Sequence, residues 1–174
     1  MSLEWKKLNE KPIKVGYRKL IRKHFRLPSG VENDFDIKDE CKVVCILPIT
    51  HDGKVILAKQ FRPGPEKVLM ELPGGGMETN ETPLESAARE LLGETGYQGK
   101  TKLVGTSLDC GYSNRIRYNF VATECKKVAE VKDDPNEPIE VVLISREEFR
   151  ELLRSGEITD IETGYLGLDY LGLL

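Results

Sequence analysis

The sequence predicts an α/β fold in which strands and helices interleave. Two β-rich runs flank an Asp-Gly turn between residues 42 and 61, Thr82-Pro83-Leu84-Glu85 marks a helix start twice over, and strand-like runs then alternate with amphipathic segments to the C-terminus. Residues 12 to 37 carry Val15, Tyr17, Leu20, Ile21, Phe25, Phe35 and Ile37 among many charges, an irregular pattern that suits edge strands better than a core helix. From Lys42 to Phe61, Val-Val-Cys-Ile-Leu and Val-Ile-Leu-Ala-Lys-Gln-Phe surround His51-Asp52-Gly53, which predicts a hairpin. Val68 to Leu72 is a third short run, stopped by Pro73, and the glycines Gly74, Gly75 and Gly76 predict a loop.

Thr82 at the N-cap with Glu85 at N3 forms a capping box, and Pro83 suits the first helical position. The helix is expected to reach Thr95, with Leu84, Ala87, Ala88, Leu91 and Leu92 on its buried stripe and Gly96 as its stop. Strands are predicted over 101 to 108, 115 to 123 and 139 to 144. Ser145-Arg146-Glu147-Glu148 opens a second capped helix through Leu153. A last amphipathic segment, Asp160 to Leu173, has Ile161, Tyr165, Leu168 and Leu171 as its expected buried side.

The chain's 174 residues suit one sizeable core, and 26 Lys+Arg against 29 Asp+Glu give a net charge of −3. That balance lacks the basic footprint of a nucleic-acid-binding protein. The longest apolar run, Val43 to Ile49, is broken by Pro48 and is far shorter than the ~20 residues of a membrane helix. Residues Met1 to Lys7 show no signal-peptide pattern, so the expected compartment is the cytoplasm. Cys41, Cys45, Cys110 and Cys125 form no Cys-x-x-Cys pair and only His24 and His51 could join them, so zinc is not expected. Cys41 and Cys45 read as small buried thiols beside or within a strand.

The chemistry concentrates between Gly74 and Tyr97. Glu90 and Glu94 are four residues apart on the predicted helix, so their carboxylates share one face. Two like charges at that spacing destabilise an isolated helix by roughly a few tenths of a kcal/mol, and a hard cation between them reverses the sign. An oxygen-only set favours Mg²⁺ or Mn²⁺. A solvated acidic helix face is the other reading of the same spacing. The three glycines ahead of the helix allow close backbone approach to a ligand, or make a tight turn.

Gly75, five residues, Glu81, seven residues, then Arg89-Glu90-Leu91-Leu92-Gly93-Glu94-Thr95-Gly96-Tyr97 resembles the Nudix box, Gly-x5-Glu-x7-Arg-Glu-aliphatic-x-Glu-Glu-x-Gly-aliphatic. Gly93 departs from it, standing where the family has the first Glu of its pair. The resemblance implies an α/β/α sandwich with a mixed sheet, and cleavage of a nucleoside diphosphate linked to another moiety. It implies an N-terminal β segment over 1–40, dimerising by analogy, and a hydrolase domain over 41–174. Glu90 and Glu94 are then metal ligands with the carbonyl of Gly74. Glu81 and Arg89 form an orienting ion pair, structural together with Gly75 and Gly96.

The flanks, Gln60-Phe61-Arg62-Pro63 and Asn136-Glu137-Pro138-Ile139-Glu140, resemble the ADP-ribose pyrophosphatase and nucleotide-sugar group. The resemblance makes Arg62 a phosphate grip, with a hairpin-edge salt bridge as its alternative. It makes Glu137 a loop glutamate of catalysis, with Glu140 the second choice. Cys110 replaces a proline that the ADP-ribose branch carries, which leaves other nucleoside diphosphate sugars open. Tyr112 is a substrate-contact candidate, and Trp5, Tyr17 or Phe25 could stack a base.

The resulting expectation is a Mg²⁺-dependent pyrophosphohydrolase of ADP-ribose or a related nucleoside diphosphate sugar, acting as a homodimer through Glu94, Glu90 and Glu137. The rivals are a non-catalytic nucleotide-sugar-binding domain weakened by Gly93, and a nucleoside triphosphate pyrophosphatase.

Overall fold

The computed structural model describes residues 5–16, 18–131 and 138–174. Its contacts divide the chain into two units, Met1–Lys42 with Leu108–Ile116, and Val43–Ser107 with Arg117–Leu174. The first unit takes in residues 108–116 as well as the N-terminal segment.

In that unit β1 (Lys6–Val15), β2 (Arg18–Arg26) and β3 (Glu32–Lys38) form an antiparallel sheet in the order β1-β2-β3. Cross-strand pairing lines up polar partners on one face: the ion pairs Arg22–Asp36 and Arg26–Glu32, and His24 hydrogen-bonded to Asp34. The 108–116 segment joins at the end of β3. Lys38 N–H donates to the Tyr112 carbonyl at 2.9 Å, and the Asn114 side chain bonds Asp39 and the Glu40 N–H.

The second unit is built on β4 (Val43–Thr50), β5 (Val55–Arg62), β6 (Lys67–Glu71), β7 (Gly74–Gly76), β8 (Tyr97–Leu108), β9 (Ile116–Lys127) and β10 (Glu140–Ile144). The main order is β10-β5-β4-β9-β8, with β6 added to β5 and β7 to β4. The β4–β9 pair is parallel while β4–β5, β5–β6, β4–β7 and β5–β10 are antiparallel, which makes the sheet mixed. Strand β4 alternates between two cores. Val44 and Ile46 pack with Ala87 and Leu91 of α1 (Pro83–Thr95). Cys45, Leu47 and Ile49 pack with Phe149 and Leu153 of α2 (Arg146–Ser155) and Leu168 of α3 (Ile161–Tyr170). Helices therefore cover both faces, an α/β/α sandwich.

Several expectations are corrected. The three glycines are not a loop: they pair with β4 as β7, Gly74 opposite Cys45. A Cβ on Gly74 would lie 2.4 Å from the Val44 carbonyl oxygen, so only a bare backbone fits so close. On α1, Leu84 is 51% exposed and Ala88 is exposed, while Ser86 and Thr95 are buried beside Ala87 and Leu91. On α3, Tyr165 is exposed and Thr163, Gly164, Gly167 and Leu168 are buried. Cys41 is exposed and Cys45 buried. No helix among the described residues is long and apolar enough to cross a membrane.

Candidate active site

The site grows from the start of α1. Thr82 and Glu85 close the capping box, Pro83 enters the first turn, and Gly96 ends the helix in the left-handed region at φ 75°. Those caps fix which residues follow which, and burial of Ala87, Leu91 and Thr95 fixes the rotation of the helix. Glu90 and Glu94 are thereby brought against β7.

Glycine strand and helix meet at two points. The Gly74 N–H donates to Glu94 Oε2 at 3.0 Å. Gly75 covers the other carboxylate: a Cβ placed on it would lie 2.5 Å from Glu90 Oε1 and 2.7 Å from its Cδ. Glu90 Oε1 also accepts from Arg89 Nη1 at 2.7 Å.

Arg89 is the tie between helix and loop. Its Nε and Nη2 donate to Glu81 at 2.8 and 2.9 Å, and Nη2 also reaches the Gly76 carbonyl at 3.0 Å. The Arg89 bonds, helped by the Glu78 N–H, hold the Glu81 carboxyl down at about 2. The arginine's own proton affinity rises through the same Glu81 bonds.

Glu94 moves the opposite way. Burial pushes its carboxyl up to about 7, and the charges of Glu90 and Glu71 push in the same direction, while the Gly74 N–H and Arg62 pull back. Burial and the neighbouring carboxylates thus disfavour a negative charge on Glu94, and a cation beside it would offset both.

Arg62, at the end of β5, is paired through Nε with Glu71 of β6, a carboxylate only 1% exposed; Arg62 itself is 42% exposed. Glu71 is not among the residues that the sequence marks for the site. Its signal was there, a lone acid inside the apolar run Val68-Leu69-Met70-Glu71-Leu72. Arg117 of β9 has no such local signal; it pairs with Glu162 and lies 3.1 Å from Asp160, whose carboxyl burial pushes up.

Glu137 lies outside the described residues, as does Tyr17. Glu140 pairs at 2.8 Å with Lys59 across the β5–β10 pair, and its side chain is largely exposed. Tyr112 belongs to the first unit, where its ring stacks on Phe35 at 6.5 Å. There Trp5, Phe25, Phe35 and Tyr112 line a cleft of about 370 Å³ with Lys23 and Ile37.

Among the described residues no group of three or more His, Cys, Asp or Glu side chains is placed to hold a metal. Two carboxylates nevertheless fit a hard divalent ion, because Mg²⁺ keeps several waters and is held by one or two carboxylates plus substrate phosphates. The desolvated Glu94 and the Glu90 carboxylate beneath a glycine, where a side chain would intrude, are the observations that support the fit.

The sequence profile of the NUDIX domain matches residues 40–162. The ADP-ribose pyrophosphatase of Bacillus subtilis is 35% identical over 150 residues, covering 84% of this chain and 80% of that protein. The methanol dehydrogenase activator of Bacillus methanolicus is 27% identical over 150 residues with the same coverage, 84% and 80%. A crystal structure of an ADP compounds hydrolase superposes with a TM-score of 0.82 at 20% identity and covers 100% of both chains, a likeness of fold.

Proposed function

The chain belongs to the NUDIX domain family, and we propose that it hydrolyses the pyrophosphate bond of ADP-ribose or a closely related nucleoside diphosphate sugar, giving a nucleoside monophosphate and a sugar phosphate. The observation that carries this is the carboxylate pair of α1 seated against the glycine strand, Glu94 on the Gly74 N–H and Glu90 beneath Gly75. A diphosphate resists nucleophiles because its oxygens are charged, so the site must neutralise that charge and aim a water at phosphorus.

Glu90, Glu94 and the Gly74 carbonyl are assigned to a divalent cation, Mg²⁺ with Mn²⁺ as a substitute. When bound, that ion supplies charge neutralisation on the diphosphate and lowers the pKa of a water. Arg62 contributes a fixed planar donor toward a phosphate oxygen. As the water oxygen bonds to phosphorus, the bridging P–O bond breaks and Glu137 is assigned the proton. Glu81 and Arg89 hold Glu90 in place through the 2.7 Å bond. Tyr112 is assigned a substrate contact, and Trp5 or Phe25 the stacking of a base. It takes the protein as a cytoplasmic homodimer.

Chromatography of ADP-ribose incubated with the protein and Mg²⁺, Mn²⁺ or EDTA tests the reading. AMP and ribose 5-phosphate in equal amounts are expected with metal and none with EDTA. Glu94→Gln is expected to keep the fold and lose roughly a thousandfold in kcat/KM. Absence of product with both metals, or a Glu94→Gln variant as fast as the parent, refutes it.

A further inference from the structure

Behind Arg62 stands a polar chain, running from the buried Glu71 to the exposed Thr159, to which the pyrophosphatase reading gives no task. Glu71 uses both of its oxygens: Oε2 accepts from Arg62 Nε across the β5–β6 pair, and Oε1 accepts from the hydroxyl of Thr159, just ahead of α3. Thr159 Oγ1 in turn lies 3.1 Å from Asp160 Oδ2, and Asp160 Oδ1 is 3.1 Å from Arg117 Nη2. A carboxylate that is 1% exposed is costly unless each oxygen is matched, so these two bonds fix where Glu71 stands.

The consequence falls on Arg62. Its stem is long and half-exposed, and a guanidinium grips a phosphate well only when its plane is set in advance. Bonding through Nε sets that plane and leaves the outer Nη edge for a ligand; among the described residues the side-chain hydrogen bond of this guanidinium goes to Glu71. Arg62 is near enough to the metal-ligand candidates for its charge to act on Glu94.

We propose that Glu71 and Thr159 are positioning residues for Arg62. The Thr159 hydroxyl locks the Glu71 carboxylate, and the carboxylate orients the guanidinium toward the diphosphate. This rests on the reading of Arg62 as the phosphate-binding residue. A plain cross-link between β6 and the α3 segment would also use these bonds, but it would not act through Arg62.

The experiment is a mutant cycle on ADP-ribose hydrolysis with Mg²⁺. Thr159→Val, Thr159→Ser and Glu71→Gln are each made alone and with Arg62→Ala. Thr159→Val keeps the shape of the side chain and loses only its donor, so the test does not depend on Glu71→Gln folding. It is expected to lower kcat/KM roughly tenfold, mostly through KM, and Thr159→Ser to restore it. With Arg62→Ala in place, Thr159→Val should cost less than about twofold, because the two changes remove one interaction. The Arg62 Nε–H signal in ¹⁵N spectra should be shifted downfield and protected from exchange in the parent and Thr159→Ser, and lose both features in Thr159→Val.

If Arg62→Ala costs much and Thr159→Val lowers kcat/KM by the same factor in both backgrounds, the positioning role is overturned while the phosphate reading stands. A Thr159→Val enzyme with the parent's kcat/KM overturns it as well. If Arg62→Ala itself leaves kcat/KM unchanged, the phosphate reading of Arg62 falls and takes the proposal with it.

Discussion

Replacing Gly75 by alanine isolates the placement of one carboxylate from the stability of the fold. The new Cβ would stand 2.5 Å from Glu90 Oε1, whereas ordinary contact begins near 3.4 Å, so the carboxylate must retreat by roughly 0.9 Å. It can do so, since it is the end of a flexible side chain, but it then leaves Arg89 Nη1, its partner at 2.7 Å, and shifts relative to Glu94. Gly75 is not among the positive-φ glycines, so alanine fits the backbone and restricts the unfolded chain. Stability should stay within about 1 kcal/mol of the parent, while a misplacement near 1 Å costs on the order of a hundredfold in kcat/KM. Calorimetric titration with Mg²⁺ should show affinity weakened by roughly 10- to 100-fold. Gly74→Ala is the contrast: its Cβ meets the Val44 carbonyl at 2.4 Å and the Cys45 Cα at 2.9 Å, backbone that cannot yield without breaking the β4–β7 pair. That variant should lose roughly 3 kcal/mol or more in urea unfolding. Gly75→Ala with kcat/KM within about threefold of the parent would show that the Glu90 position is immaterial and refute the site as drawn.

Gly93 sits in α1 with nothing within 4 Å of where a Cβ would be, so Gly93→Ala should stabilise by about 1 kcal/mol in urea unfolding. Gly93→Glu should fold as well and change kcat/KM by less than about threefold; a gain of a hundredfold would mean that the parent lacks a needed ligand. Glu94, near 4.5 when unfolded and about 7 when folded, holds its proton more tightly in the native state. Its contribution is therefore fully present below pH 4.5 and is lost as pH rises to about 7, at most about 3 kcal/mol. Urea midpoints in EDTA between pH 5 and 8 should fall accordingly, and Glu94→Gln or saturating Mg²⁺ should flatten the decline. Glu81, lowered to about 2, acts in the separate window from its ordinary 4.5 down to about 2, where stability is lost as pH falls.

What the sequence shows of this molecule follows the range of the interactions. The ends of α1 are legible because Thr82, Glu85 and Gly96 act on backbone groups within a turn of themselves. The rotation of the helix is less so: periodicity marks Leu84, Ala87, Ala88, Leu91 and Leu92 as one apolar arc, but the sheet it docks on selects Ala87, Leu91 and Thr95. Gly74 to Gly76 look like a loop because glycine carries no strand preference, and the partner that makes them a strand is β4, some thirty residues earlier. In the candidate site, Glu90 and Glu94 are visible from spacing alone. The Glu71–Thr159 bond joins residues 88 apart and has no local trace beyond an acid in an apolar run.

The candidate site works against the helix that presents it. Glu90 and Glu94 are like charges one turn apart, one of them desolvated, and Gly93 between them forfeits helix propensity. An isolated helix of 13 residues would be marginal even without these costs. Two features offset them. The capping box, Pro83 and the left-handed Gly96 hold both ends, and Ala87 and Leu91 are buried against β4 and β9. Arg89 then binds one of the two carboxylates, and the Gly74 N–H binds the other, so each acid is held separately before any cation arrives. Helix stability and ligand placement thus rest on different residues, which is why a change at Gly75 should reach the second while sparing the first.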